Sequence, residues 1–150
     1  MATCRARRCA SQPRHGQHAE RAGRPPAARD QLRTIQWTVG KNFDGSGPFG
    51  PAFVSADELP AGADGLKIQT RLNGQVMQDS VTSLMVFNVA ETIAILSQAM
   101  TLEPGDLLVM GTPSGVGNAR EPKIFMKPGD VIEVEIEQVG LIRNTVVAEA

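Results

Sequence analysis

Two glycine-rich stretches hold the side chains best suited to chemistry. The first, QWTVGKNFDGSGPFGP at residues 36–51, places one cation, Lys41, among four glycines. A lysine is normally a surface charge. A loop this rich in glycine is costly to order, however, and it could aim the Lys41 ammonium at an anionic substrate or at an oxygen that gains negative charge. The composition leaves both interpretations open.

The second stretch is GTPSGVG at residues 111–117, directly after the apolar run LLVM. Glycines at a strand end let the backbone approach a ligand closely, and the Thr112 and Ser114 hydroxyls could hold a carboxylate or carbonyl oxygen. The spacing matches neither nucleotide-binding glycine pattern, nor the nucleophile elbow of serine hydrolases. On spacing alone, an ordinary tight loop is the favoured interpretation.

The elements that position these loops are mostly strands. Alternating residues around Asn73-Gly74 predict a β-hairpin over 66–78 with a type I′ turn. The helical period after Asn88 predicts a helix over 89–100 that begins with an Asn88–Glu91 capping box. Three further segments are predicted as strands: 52–55, 107–110, and a second hairpin over 131–147. The predicted class is therefore α+β, mainly β.

In the second predicted hairpin, three glutamates share one strand face: Glu133, Glu135 and Glu137. Alternating carboxylates on one face repel unless water or a cation screens them. We predict a solvated face there, not a metal site.

Charge divides the chain unevenly. In residues 1–35, eight arginines against two acids leave +6, whereas seven bases against fourteen acids leave −7 in residues 36–150. All cysteines and histidines lie in the first segment, so the body has no cysteine nucleophile, no histidine triad and no Cys/His zinc site. A cysteine-free body fits a cytoplasmic setting. No apolar run approaches the roughly 20 residues of a membrane span.

Residues 1–27 are predicted to be a basic, disordered tail. Other interpretations are an Arg-rich transit peptide without leucines, or a nucleic-acid arm without aromatic residues to stack on bases. We favour neither. Cys4, Cys9, His15 and His18 miss the usual zinc-finger spacing.

Four blocks between residues 28 and 147 resemble the fumarylacetoacetate hydrolase family, in the family's order. They are QWTVGKNFDGSGPFGPAFVSADELP, RLNGQVMQDSVTSLMVF, LEPGDLLVMGTPSGVG and FMKPGDVIEVEIEQVGLIRN. The resemblance covers the C-terminal half of the family's catalytic domain and implies a mixed β-roll, often in a homodimer. It also implies Mg²⁺ and small oxo- or diketo-acid substrates that are hydrolysed, decarboxylated or isomerised, often in aromatic catabolism.

The resemblance also assigns residues. Lys41 matches a catalytic lysine that would stabilise an enolate-like oxygen, Gly111 and Thr112 match a loop that holds a substrate carboxylate, and Gln31 matches a substrate-binding glutamine. The family's metal-binding carboxylates have no counterpart, since one of them would fall at Pro25.

The missing carboxylates leave two alternatives open. One is an inactive, truncated relative, with residues 1–27 arising from an altered start or a shifted reading frame. The other is a β-rich interaction module with a basic arm. A truncated domain is also expected to leave apolar faces uncovered, and to associate through them.

Overall fold

The structure, a computed structural model, describes residues 47–148. Its strands and α-helix are β1 (Lys67–Leu72), β2 (Gln75–Val81), α1 (Val89–Ala99), β3 (Val131–Ile136) and β4 (Gly140–Thr145). Short 3-10 turns cover Ala61–Ala63, Thr82–Leu84 and Gly117–Ala119. The strands form one antiparallel sheet in the order β2-β1-β3-β4. The predicted α+β, mainly β class is confirmed.

The first hairpin forms at the predicted place. Asn73 and Gly74 have φ of 51° and 80°, the left-handed conformations that a type I′ turn requires. The Asn73 side chain also joins the turn to the start of β3, because it donates to Asp130 (2.8 Å) and accepts from the backbone N–H of Val131 (2.8 Å). One residue therefore shapes the turn and fixes it to a strand nearly sixty positions later.

The glutamate row on β3 is covered more than the sequence predicts. From β1, Arg71 Nε lies 3.0 Å from a carboxylate oxygen of Glu133, and Nη1 lies 2.8 Å from one of Glu135. The hydrogen bond to Glu133, and to a smaller extent the one to Glu135, raises the pKa of Arg71. A solvated face is correct for Glu135 and Glu137, which are exposed, but wrong for Glu133, whose side chain is 21% exposed. The register of β1 against β3 supplies the cation that the β3 sequence alone does not show.

We expect Arg71→Met to lower the melting temperature more than Arg143→Met does. Arg71 bridges two carboxylates, whereas the one ion pair of Arg143 within residues 47–148 is with Glu133 (3.2 Å), and the Arg143 side chain is 65% exposed. Exposed ion pairs contribute little to stability. Circular dichroism melts of both variants test this. Equal losses would show that the bridging position of Arg71 gives no extra stability.

Helix α1 begins with the predicted capping box. The Asn88 side chain accepts from Glu91 N (2.9 Å), and the Glu91 carboxylate accepts from Asn88 N (3.0 Å). The expected apolar face is only half covered: Val89 and Leu96 are half-buried, while Ile93 and Met100 are 44% and 55% exposed. The helix is therefore specified by its local sequence and its cap, more than by tertiary packing.

Two predicted strands are wrong. Segments 52–55 and 107–110 have no strand structure, and Leu107 and Val109 are 60% and 85% exposed. An apolar run becomes a buried strand only when a neighbouring strand pairs with it and another layer covers it. The described residues offer Val109 neither, and within them only Leu66 and Val146 are fully buried. Exposed apolar side chains of this kind support the expectation that the chain associates with other copies or proteins.

Candidate functional site

The GTPSGVG loop packs against strand β2, at the edge of the sheet. A Cβ placed on Gly115 would lie 2.3 Å from the backbone oxygen of Met77, so only glycine allows this approach. The half-buried Arg120 side chain joins the same two residues, Gly115 and Met77. Its Nε donates to Gly115 O (3.0 Å), and its Nη2 donates to the carbonyl of Met77. The loop therefore has a fixed position on β2.

Gln78, the next residue on β2, contacts the loop's hydroxyl-bearing residue. Its side-chain nitrogen donates to Thr112 Oγ1 (2.9 Å) and to the carbonyl of Pro113 (2.7 Å). Within residues 47–148, Thr112 Oγ1 has no other hydrogen bond to protein, and the residue is exposed. A hydroxyl carries one donor and two acceptor positions. Thr112 thus accepts from Gln78 and keeps its own proton to donate outward.

The predicted site residues divide into two groups. Gly111 and Thr112 stand together on the exposed side of the loop, where Gly111 has φ of 93°, a conformation suited to glycine. Lys41 and Gln31 lie outside the described residues. The roles that the family resemblance assigns to them stay predictions.

Sequence reasoning missed Gln78 and Arg120. The hairpin pattern places Gln78 on a strand, but nothing in its spacing indicates a partner 34 positions later. Arg120 follows the glycine motif by only a few residues, and a guanidinium that can donate to several carbonyls is a fitting side chain to hold such a loop. The sequence signal for Arg120 is therefore limited to its guanidinium group and its position shortly after the glycine motif.

The described residues do not fit a metal centre. Residues 47–148 contain no group of three or more His, Cys, Asp or Glu side chains that could hold a metal ion. Glu133 and Glu135, the nearest approach to such a group, are hydrogen-bonded to Arg71. What the loop offers is a fixed, outward-facing hydroxyl donor beside exposed backbone.

A depression of about 270 Å³ lies elsewhere, lined by Lys67, Gln69, Glu135 and Glu137. Gln69 is next to Thr70, and Thr70 pairs directly with Gln78. Because side chains alternate between the two faces of a sheet, this depression and the Gln78 side chain occupy opposite faces. It is therefore separate from the Thr112 site. Within residues 47–148, no helix has the length and apolarity to cross a bilayer.

Comparisons with known proteins all indicate one family. Residues 22–147 match the family described as fumarylacetoacetate (FAA) hydrolase, C-terminal. The chain is 49% identical over 123 residues to a rat (Rattus norvegicus) protein named mitochondrial oxaloacetate tautomerase, covering 81% of this chain and 39% of the relative.

Solved structures agree with the sequence matches. The fumarylacetoacetate hydrolase of Exiguobacterium antarcticum is similar with a TM-score of 0.76 and 41% identity, covering 81% of this chain and 44% of that one. A Sphingobium maleylpyruvate hydrolase, solved with manganese(II) and pyruvate, is similar with a TM-score of 0.62 and 34% identity, covering 70% and 37% of the two chains. This chain thus spans about two fifths of the length of these relatives.

Proposed function

The chain belongs to the fumarylacetoacetate hydrolase family, a family of enzymes, and on that premise we propose that loop 111–117 binds the carboxylate of a small oxo-acid. One observation carries the proposal: Thr112 Oγ1 accepts from Gln78 and is exposed, so its proton is available to a ligand. A carboxylate oxygen only accepts hydrogen bonds, which makes it the natural partner of such a donor. Neighbouring backbone N–H groups can add to the contact, since Gly111 and Ser114 are exposed.

The reaction we propose is keto–enol tautomerisation, supported by the oxaloacetate tautomerase name of the rat relative. In tautomerisation to the enol, the C–H bond beside the carbonyl breaks, an O–H bond forms, and the double bond moves from C=O to C=C, so no bond between heavy atoms is cleaved. Negative charge develops on that oxygen, and Lys41 would stabilise it with a fixed ammonium. Thr112 would hold the carboxylate end and so orient the substrate.

A divalent metal belongs to the proposal by relationship, since the Sphingobium hydrolase was solved with manganese(II). We propose Mg²⁺ or a similar ion as cofactor, although residues 47–148 hold no ligand set for it. No step is therefore assigned to a metal here. The same finding favours a second candidate, an inactive relative that binds the acid without converting it.

Tautomerisation of oxaloacetate by the purified chain tests the proposal. We expect the loss of enol absorbance to be faster than the spontaneous rate when Mg²⁺ or Mn²⁺ is present. We also expect Thr112→Val to reduce kcat/KM about 10- to 100-fold, the range for one hydrogen bond to a charged group. Thr112→Ser, which keeps the hydroxyl, is the matched control and should retain most of the acceleration.

The alternatives give different results in the same assay. Pyruvate formation from oxaloacetate would indicate decarboxylation instead, and cleavage of a diketo-acid would indicate C–C hydrolysis. No acceleration with any metal, combined with measurable pyruvate binding, would identify the inactive relative.

Assembly and location complete the proposal. A homodimer is supported by exposed apolar side chains such as Val86 and Val109, which are 88% and 85% exposed. The cysteine-free body supports a cytoplasmic setting, whereas "mitochondrial" is part of the rat relative's name. The alternative of a nucleic-acid arm concerns residues 1–27, which lie outside the described residues.

A further inference from the structure

We propose that Gln78 is a positioning residue that fixes the direction of the Thr112 hydroxyl, and so makes the loop select hydrogen-bond acceptors such as a carboxylate over donors. The inference rests on the proposed function for its ligand, a small oxo-acid. Its structural part, the orientation of two side chains, is independent of any ligand.

The sheet presents Gln78 to the loop. Strand β2 lies at the sheet edge, and its pairing with β1 shifts by one residue between Thr70 and Arg71. Met77 is the extra residue at this bulge, and Gln78 follows it, opposite Thr70. Bulges bend a strand and re-aim the side chains beside them. The backbone oxygen of Met77 accepts a hydrogen bond from Arg120 and lies against Gly115. The side chain of Gln78, the next residue, donates to Thr112.

The carbonyl of Pro113 decides which way the Gln78 amide faces. An amide can place either its NH₂ group or its oxygen towards a partner. Pro113 O is an acceptor only, 2.7 Å from Gln78 Nε2, so the flipped amide would set two oxygens against each other. The NH₂ group must therefore face the loop, and its second hydrogen is directed to Thr112 Oγ1 at 2.9 Å.

This arrangement leaves the Thr112 hydroxyl one role. Because Gln78 can only donate to it, the hydroxyl proton must point away from Gln78, towards the exposed side. A carboxylate or enolate oxygen accepts that proton, whereas an ammonium or amide N–H cannot use it in the same way. Gln78 thereby sets the preference for hydrogen-bond acceptors without touching the ligand.

The loop does not depend on Gln78 alone for its place on β2. Arg120 joins Gly115 to Met77 by two separate hydrogen bonds. Removing the Gln78 amide should therefore release the Thr112 hydroxyl while the loop stays docked. This separation makes substitutions at position 78 informative.

Two substitutions at position 78 test the inference, with pyruvate and Mn²⁺ as the probe and isothermal titration of the full chain as the readout. Gln78→Met keeps the volume and removes the donor, and we expect about 5-fold weaker binding, the value of one neutral hydrogen bond. Gln78→Glu at pH 7 should weaken binding further, since its carboxylate attracts the Thr112 proton and repels the ligand. Gln75→Glu, on the same strand but away from these hydrogen bonds, is the matched control and should bind like the wild type.

The pH profile separates orientation from mere packing. A protonated glutamic acid can donate, as the amide does. As pH falls towards about 4, near the ordinary pKa of glutamate, the Gln78→Glu variant should therefore regain affinity relative to wild type at the same pH. An affinity ratio between Gln78→Glu and wild type that does not change with pH would overturn the inference, as would wild-type affinity in Gln78→Met. Melting curves of each variant confirm that the folded protein is compared.

A ligand-free measurement keeps the two proposals distinguishable. In ¹⁵N-resolved NMR spectra, both side-chain amide hydrogens of Gln78 should exchange with water more slowly than those of Gln75. Thr112→Val should shift one of the Gln78 signals far more than the other. Exchange as fast as that of Gln75 would overturn the inference. If wild type binds no pyruvate while these NMR signatures hold, the proposed function fails and the orientation stands.

Discussion

Replacing Gly117 with alanine is expected to displace loop 111–117 and lower the melting temperature substantially. A Cβ on Gly117 would lie 1.9 Å from the backbone oxygen of Ile124, which no side-chain rotation can relieve. The two residues are also joined by a backbone hydrogen bond, in which Ile124 N donates to Gly117 O at 3.0 Å. Overpacking of this kind typically costs about 1–3 kcal/mol, and a backbone obstacle belongs at the upper end.

Gly115→Ala should behave similarly for two reasons. Its Cβ would lie 2.3 Å from Met77 O, and its φ of 103° is unfavourable for any other residue. Gly47→Ala is the matched control, since nothing lies within 4 Å of a Cβ there. Thermal melts of the three variants test the account. A melting temperature for Gly117→Ala equal to that of Gly47→Ala would contradict the path of the chain past Ile124, and the same result for Gly115→Ala would contradict the docking of the loop on β2.

Lys41→Ala is expected to remove at least two orders of magnitude from the tautomerisation rate, the scale of one lost electrostatic donor, and to leave the melting temperature nearly unchanged. Its role as the cation at the developing oxygen comes from the family resemblance. Lys41→Arg keeps the charge with a different shape, and should retain part of the activity.

Lys67→Ala is the matched control for Lys41, since the Lys67 side chain is 60% exposed and lies on the sheet. Rates and melting temperatures of the three variants are compared. A large fall in the melting temperature of Lys41→Ala would mark a structural lysine. An unchanged rate would remove Lys41 from the proposed site.

The parts of the fold that the sequence predicted correctly are the locally specified ones. Asn73-Gly74 determines its turn through its own backbone conformation, and Asn88 with Glu91 determines a helix start within four residues. Segment 107–110 failed because its apolar run specifies burial only if something covers it. Val109 is 85% exposed, and no periodicity within the run could reveal that.

The candidate site divides in the same way. Gly111 and Thr112 were singled out by a short glycine-rich motif, and their substrate-binding role was predicted from the family resemblance, because spacing alone favours an ordinary loop. Gln78 was missed because its role depends on a β-bulge and on a loop 34 positions later. The positive charge on Arg71 that pairs with the β3 glutamates was missed for the same reason, since cross-strand partners depend on register.

A crystal structure of the chain with pyruvate tests the central claim most directly. We expect a pyruvate carboxylate oxygen about 2.7 Å from Thr112 Oγ1, the usual distance for an O–H donor, with the Gln78 amide still donating to the same hydroxyl. We also expect the Lys41 ammonium on the keto-oxygen side of the ligand. Pyruvate bound elsewhere, or a Lys41 ammonium that faces solvent on another side of the molecule, would contradict the claim.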